Sequence, residues 1–303
     1  MRRNLRLSRS NLVQPDMVIH TTPPPLFHKL TAGGWRASLA LALRRRAERT
    51  ALTHVCHRGP LRVQRPFYPE GDEVAHVYLL HPPGGVVGGD RLEIDIDIGT
   101  QAHALFTTPG ATKFYRSGGE LAAVEQSIRV IRQGIVEWLP QETIFFSGAK
   151  VQSRTRIDLE SDALFIGWDI QCFGRPEAGE AFDAGEIAAR FEIWREQRPL
   201  FLECARVSGK SAFLDQAWGL GTRPVSATFW CTDEHAPSVA QLRDVCHSGE
   251  MNLFSVTQLP GVIVCRLLSH RVEDAKRVFL RAWDLLRPRV LNRSACCPRI
   301  WAT

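Results

Sequence analysis

The sequence lacks the long apolar runs and the paired cysteines that would indicate a membrane protein or a disulfide-held secreted protein. No stretch approaches the roughly 18 uninterrupted apolar residues that indicate a membrane-spanning helix. Several arginines lie near the N-terminus, but no apolar segment follows them, so we expect no secretory signal. The eight cysteines form no CxxC pair. We therefore expect a cytoplasmic chain with reduced thiols that does not enter a membrane.

The motifs of common catalytic and nucleotide-binding sites are also missing. The sequence has no HExxH zinc motif and no GxSxG nucleophile motif. Gly209-Lys210-Ser211 matches the end of a phosphate-binding P-loop, but that loop requires a glycine where this chain has Cys204. We expect the segment to be an exposed turn and predict no nucleotide site.

No group of residues has the spacing of a stable metal site. His54, Cys56 and His57 are close in sequence, but on a strand His54 and Cys56 share one face and His57 points to the other. The adjacent residues Cys296 and Cys297 offer soft ligands, but they stand alone near the end of the chain. We therefore expect no tightly bound metal or other cofactor.

The charge balance is only mildly basic, which limits the classes of partner. The 303 residues carry a net charge of +6, and 44% of them are hydrophobic, which is typical of a globular protein. No dense run of Lys and Arg is interleaved with aromatic residues, so nucleic acid is not an expected partner. Residues 1–30 contain three consecutive prolines and are predicted to form a flexible tail, whereas residues 31–303 are predicted to form one domain.

Alternating apolar and polar residues, the pattern of half-buried β-strands, dominate the chain. The cleanest case is residues 91–98, where leucine and isoleucine occupy one face and charged residues the other. Residues 151–160 and 187–194 repeat the pattern, and residues 35–43 and 50–56 form two strands around a turn. Further strands are predicted near residues 74–80, 102–108, 122–132, 135–139, 163–173, 200–207 and 225–231.

Two later segments have helical spacing instead. Residues 238–247 begin with a capping box from Ser238 to Gln241, and a second helix is predicted over 271–287, ended by Pro288. A hairpin is predicted between them. Because helices do not alternate with strands, a parallel α/β enzyme fold is disfavoured. The prediction is an all-β dominated fold with two helices in the C-terminal half, with sandwich, barrel and solenoid still open.

Several motifs follow one another in register from about residue 35 to the C-terminus. They are residues 59–71 (GPLRVQRPFYPEG), 82–90 (PPGGVVGGD), 107–117 (TTPGATKFYRS), 137–142 (EWLPQE), 173–180 (FGRPEAGE), 283–288 (WDLLRP) and 298–303 (PRIWAT). Taken together, they resemble the UreD family of urease accessory proteins, called UreH in some bacteria. The arginine-rich first 30 residues lie outside this resemblance.

The resemblance implies a fold and a function. The expected fold is a single-domain, β-helix-like stack of strands with helices near the C-terminal end. The expected function is that of a urease maturation chaperone, a scaffold that binds UreF and the GTPase UreG and docks on urease apoprotein. Such a protein catalyses no reaction itself. The resemblance further implies that nickel, as a transient ion, moves through a channel inside such a protein on its way to the urease active site.

Four acidic residues within or beside the motifs are candidates for transient nickel contacts: Asp90, Glu142, Asp169 and Glu180. Carboxylate oxygens scattered along a polar path would hold nickel less tightly than a closed cage of four ligands. Structural salt bridges with Arg116 or Arg175 are an alternative role for the same carboxylates. Position 169 is Asp where the family pattern leads us to expect Glu.

An enzyme remains the alternative function. A carbohydrate-active β-solenoid enzyme would use two carboxylates that face each other across an open groove lined by aromatic residues. The sequence contains many carboxylates, but it does not reveal which of them approach one another.

Overall fold

The computed structural model describes residues 34–233, 239–247 and 252–302, and the predicted tail over residues 1–30 lies outside them. Within the described residues, seven strands form one sheet and ten form a second. In chain order the strands are β1 (Arg36–Arg46), β2 (Arg49–Arg58), β3 (Arg62–Val63), β4 (Val74–Leu80), β5 (Arg91–Ile98), β6 (His103–Thr107), β7 (Thr112–Phe114), β8 (Ala122–Val130), β9 (Ile135–Trp138), β10 (Thr143–Phe145), β11 (Ala149–Leu159), β12 (Leu164–Phe173), β13 (Gly185–Arg195), β14 (Arg198–Ser208), β15 (Val225–Cys231), β16 (Leu253–Leu259) and β17 (Val262–Ser269).

The chain winds between the two sheets as a stack of coils. Strands β1, β5, β8, β11 and β13 run parallel as neighbours in the first sheet. Strands β4, β6, β9 and β12, which alternate with them along the chain, run parallel in the second sheet. Antiparallel strands close both ends of the stack. This arrangement is β-solenoid-like, which confirms the predicted fold class.

Apolar side chains fill much of the space between the sheets, and one aromatic column runs across the coils. Phe114, Phe145 and Phe173 occupy matching positions on β7, β10 and β12. Their ring centroids are 5.4 and 5.5 Å apart, with nearly parallel planes. Stacking of this kind adds to the free energy of burial and keeps successive coils in register.

A second core lies on the outer face of the second sheet. Helix α3 (Val272–Leu291) packs there through Val278, Phe279 and Trp283, all buried. Helix α2 (Val239–Cys246) packs beside it. Because β12 and β15 are thus covered on both faces, residues 164–168 and 229–231 are continuously apolar. Elsewhere in these strands Asp169, Gln171, Ser226 and Thr228 alternate with apolar residues and border an internal cavity.

The helices differ from the sequence predictions in two details. Helix α3 continues past Pro288 to Leu291 and ends at Asn292, which adopts a left-handed backbone conformation, so the prediction that Pro288 ends it was wrong. A single additional turn, α1 (Ala212–Asp215), follows the P-loop-like segment. The predicted cap of α2 at Ser238 lies outside the described residues. No helix among those described is both long and apolar enough to cross a membrane.

The predicted strands agree closely with the structure, and residues 91–98 match β5 at both ends. The strands that the periodicity missed are β3, β7 and β10, which have two or three residues each. An alternation of apolar and polar residues cannot be recognised over so short a length.

Replacing Phe145 with Ala is expected to destabilise the fold by about 3–5 kcal/mol, because it removes the middle ring of the buried column and leaves a cavity. Urea unfolding measures the change. The matched control is Trp218→Ala, since Trp218 is 72% exposed and its loss should cost about 1 kcal/mol or less. If the Phe145→Ala and Trp218→Ala variants were equally stable, the aromatic column would not hold the coils together.

Candidate functional site

A cavity of about 380 Å³, here called the central cavity, lies between the two sheets. Most of its wall is apolar, but five polar side chains from β8, β11 and β12 also line it: Gln126, Ser153, Thr155, Asp169 and Gln171. The Thr155 hydroxyl donates to Gln126 Oε1 at 2.8 Å, and Gln171 Nε2 donates to Asp169 Oδ2 at 2.7 Å. Polar side chains from both sheets therefore line the same cavity.

Asp169 is the one carboxylate among the described residues that line the central cavity. Burial raises the pKa of Asp169 to about 6, and the negative charge of Glu203 adds to this, while the hydrogen bond from Gln171 opposes it. A carboxyl group with this pKa is largely ionised at neutral pH but loses its charge in mild acid. It is the group in the cavity best suited to attract a cation.

Two further cavities continue from the central one toward the C-terminal end of the stack. A space of about 80 Å³ shares Asp169 and Thr155 with the central cavity and is also lined by Glu203 and Thr228. A more open space of about 950 Å³ shares Glu203 and Thr228 in turn. The Glu203 carboxylate forms an ion pair with Arg266. Carboxylate, hydroxyl and amide side chains thus line all three spaces together with basic ones such as Lys113, Arg190 and Arg266, and each space shares lining residues with the next.

The other candidate acids lie away from the central cavity. Asp90 holds the glycine-rich turn: its carboxylate accepts hydrogen bonds from the backbone N–H groups of Trp35 (2.9 Å) and Val87 (3.0 Å). It lines a separate cavity of about 340 Å³, which shares His81 and Gly85 with the central one. A side chain at Gly85 would collide with the Tyr115 ring, its Cβ only 2.2 Å away, so this turn requires glycine there.

Glu180 and Glu142 lie at the edges of the stack. Glu180 is exposed and receives two hydrogen bonds from Arg175, one of them 2.8 Å long, which is the salt-bridge alternative considered for it. Glu142 lies near Lys276 of helix α3 and opposes the lowering of the Lys276 pKa that burial causes. The structure therefore does not bring the four candidate acids together, and of the four only Asp169 lines the central cavity.

The sequence patterns considered for metals and nucleotides lie on the surface. His54, Cys56 and His57 are exposed on the edge strand β2. The Gly209-Lys210-Ser211 segment is a turn in which Lys210 adopts a positive φ of 55°, and the helix after it has only four residues. A helix this short offers little dipole to a phosphate, which agrees with the expected turn.

A cluster of buried charges joins helix α3 to the second sheet. We call it the Arg287 cluster, and its members are Glu70, His76, His103, Glu137, Trp283 and Arg287. Arg287 is fully buried and pairs with Glu70 at 2.6 Å and Glu137 at 3.0 Å. His76 contacts Glu70 at 2.7 Å and His103 contacts Glu137 at 2.7 Å. Buried ions of this kind persist only when each one is paired.

Glu137 lies at the centre of this cluster. Burial alone would raise its pKa, but the hydrogen bonds and charges of His103 and Arg287 outweigh that effect and lower the pKa to about 2. Trp283 Nε1 also donates to the Glu137 carboxylate at 2.7 Å. The sequence offered only one signal of this role: Glu137 and Arg287 lie in the motifs at 137–142 and 283–288.

The sequence analysis also did not identify the residues that line the central cavity, although one sequence signal pointed to them. Ser153 and Thr155 lie on the face of β11 that is otherwise apolar in the alternation of residues 151–160. Two hydroxyl groups on a core-facing side indicate either a partner across the core or a polar space. Gln126 and Gln171 carry no comparable signal.

The family model for the UreD urease accessory protein matches residues 36–302. The chain belongs to the UreD family. Among its relatives, a urease accessory protein UreD of Alcanivorax borkumensis is 47% identical over 89% of this chain and 93% of that protein. A protein named urease accessory protein UreD 2, from Brucella anthropi, is 45% identical over 89% of this chain and 99% of that protein. The UreD match thus covers both sheets, the central cavity and the Arg287 cluster.

Replacing Glu137 with Gln is expected to lower the stability of the fold at neutral pH and to make that stability depend less on pH. The pKa of Glu137 in the folded protein, about 2, is below the usual 4.5. Ionised Glu137 therefore stabilises the fold above pH 4.5, and this contribution, on the order of 3 kcal/mol, is lost as the pH falls toward 2. Urea unfolding at pH 7 and pH 3 should show a greater loss of stability for the wild type than for Glu137→Gln.

The matched control is Glu180→Gln, which changes an exposed, paired acid. It should unfold like the wild type at both pH values. If Glu137→Gln and the wild type lost the same free energy of unfolding between pH 7 and pH 3, the role given to Glu137 would be wrong.

Proposed function

We propose that this chain is a urease maturation chaperone. It is a cytoplasmic scaffold that, with UreF and UreG, docks on urease apoprotein and assists nickel insertion into the urease active site. The chain catalyses no reaction and keeps no tightly bound cofactor, and nickel contacts it only in transit. Membership of the UreD family supports a role in urease maturation.

The observation that carries the transit step is the series of three adjoining cavities that passes Asp169. Within their polar lining, the carboxylate, hydroxyl and amide groups offer oxygen ligands, which bind nickel more weakly than thiolate and imidazole do. Isolated oxygen ligands, placed one after another, allow an ion to enter and to leave. Asp169 supplies the negative charge of the central cavity, and Glu203 supplies a negative charge to the adjoining cavity.

The C-terminal end of the stack supports docking. Leu202 on the edge strand β14 and Leu253 on the edge strand β16 are about half exposed, at 50% and 52%. Exposed apolar groups beside an open cavity are typical of a protein–protein contact. We propose that a maturation partner covers this end and that GTP is hydrolysed by UreG.

A carbohydrate-active enzyme is less well supported. Such an enzyme requires two carboxylates facing one open groove. Among the described residues, the central cavity has one carboxylate, Asp169, and it lies between two sheets rather than in a groove. The aromatic groups Phe114 and Phe145 stack on one another in the core and offer no platform for a sugar ring.

Co-expression tests the proposal as a whole. Urease apoprotein is expressed with UreF and UreG, with and without this chain, and urease activity and nickel content are measured. We expect active, nickel-loaded urease only when the chain is present. Full activation without it, or failure of UreF to bind it, would refute the assignment.

The role of Asp169 is tested in the same system. Asp169→Ala should reduce nickel incorporation several-fold, whereas Asp169→Glu, which keeps the charge, should retain most of it. Ala variants of Asp90, Glu142 and Glu180 complete the series, and Glu180→Ala should have the smallest effect because its carboxylate is exposed and paired outside the cavities. Pull-down with UreF confirms that each variant still assembles. Unchanged activation by Asp169→Ala would remove Asp169 from the path.

A further inference from the structure

Glu70, His76 and Cys296 come together at a place that the central cavity does not reach. Glu70 lies in the loop between β3 and β4, His76 lies on β4, and Cys296 lies in the segment after helix α3. One ligand atom from each lies within 4.8 Å of the other two, the one such group among the described residues. Ligands around one transition-metal ion lie roughly 3–4 Å apart, given bond lengths of about 2.0–2.3 Å. The three side chains are therefore close enough to take part in one site.

The imidazole of His76 has an unused nitrogen. The side chain is fully buried, and Nε2 lies 2.7 Å from Glu70 Oε1. Nδ1 is also buried and has no hydrogen-bond partner among the described residues. Buried ring nitrogens are normally satisfied, so an orphaned one calls for an explanation. A histidine that donates one N–H to a carboxylate and binds a metal through the other nitrogen is a recurrent arrangement in metalloproteins.

Binding of a divalent cation here would change the charge beside Glu70. Cys296 would bind it as a thiolate and release the thiol proton to solvent, so the site would gain one net positive charge. Glu70 lies beside that charge, and its carboxylate and that of Glu137 share a single guanidinium, that of Arg287.

We propose that His76, through Nδ1, and Cys296 bind a divalent transition-metal ion, while Glu70 holds the imidazole through Nε2. A nitrogen and a sulfur ligand together favour zinc, nickel or cobalt and disfavour magnesium and calcium, which prefer oxygen alone. Cys296 is half-buried and its neighbour Cys297 is exposed, so the site is reached from the surface. It differs from the central cavity in its ligands and its location, and it does not depend on the proposed function.

Cobalt is the probe, because a thiolate bound to cobalt gives a charge-transfer absorption that oxygen ligands do not give. The purified full chain is dialysed against Co²⁺, and absorption and bound metal are measured. We expect a thiolate charge-transfer band with one thiolate-bound cobalt per chain. The band should disappear in Cys296→Ser and persist in the matched control Cys204→Ser, which changes an exposed free cysteine elsewhere.

Further measurements separate this site from folding defects and from the nickel path. Zinc should raise the thermal unfolding temperature of the wild type and of Cys204→Ser, but not that of Cys296→Ser, because a ligand stabilises only the state that binds it. Asp169→Ala should keep the cobalt band, since Asp169 lines a different space. A wild type without the band, or a Cys296→Ser variant that retains it, would overturn the site and leave the proposed function standing.

Discussion

Each coil of the chain adds one strand to each sheet, so the inward side chains of the two strands must meet across the space between them. Where both are large and apolar, as for Phe191 on β13 and Trp230 on β15, the rings stack across that space with their centroids 3.8 Å apart. Where the inward positions carry Ser153, Thr155 and Asp169, the side chains are too short to fill it, and the central cavity opens. The solenoid thus encloses a cavity through local changes of side-chain size, with the hydrogen-bonded strands around it intact.

The second constraint is the burial of charge beneath helix α3. Arg287 can be buried only because two carboxylates meet it, and this requirement fixes how the helix lies on the second sheet. The same packing holds the C-terminal motif: the Trp301 ring lies 5.7 Å from that of Trp168, and Trp301 Nε1 donates to Thr107 Oγ1 at 2.9 Å. Helix α3, strand β12 and the C-terminal motif, which are distant in sequence, thereby pack together on the outer face of the second sheet.

The motifs that carry the family resemblance supply turns, ion pairs and packing contacts to the fold. The segment 82–90 is a tight turn whose glycines permit close approach and whose Asp90 satisfies two backbone N–H groups. The segment 137–142 supplies Glu137 to the buried cluster, and 173–180 contains the exposed pair of Arg175 and Glu180.

The sequence by itself determined the strands and their inward faces, since alternation with a period of two reports burial directly, as in residues 91–98. It also determined the family. It did not determine which strands pair, because a strand shows which face is buried but not its neighbour. The alternation therefore left sandwich, barrel and solenoid open, and the solenoid was expected from the family resemblance alone. Only the tertiary structure decided that Asp169 faces a cavity while Glu180 faces Arg175, and that Glu70, His76 and Cys296 meet. Glu70 and Cys296 are more than two hundred positions apart in the chain, and no local pattern records such a contact.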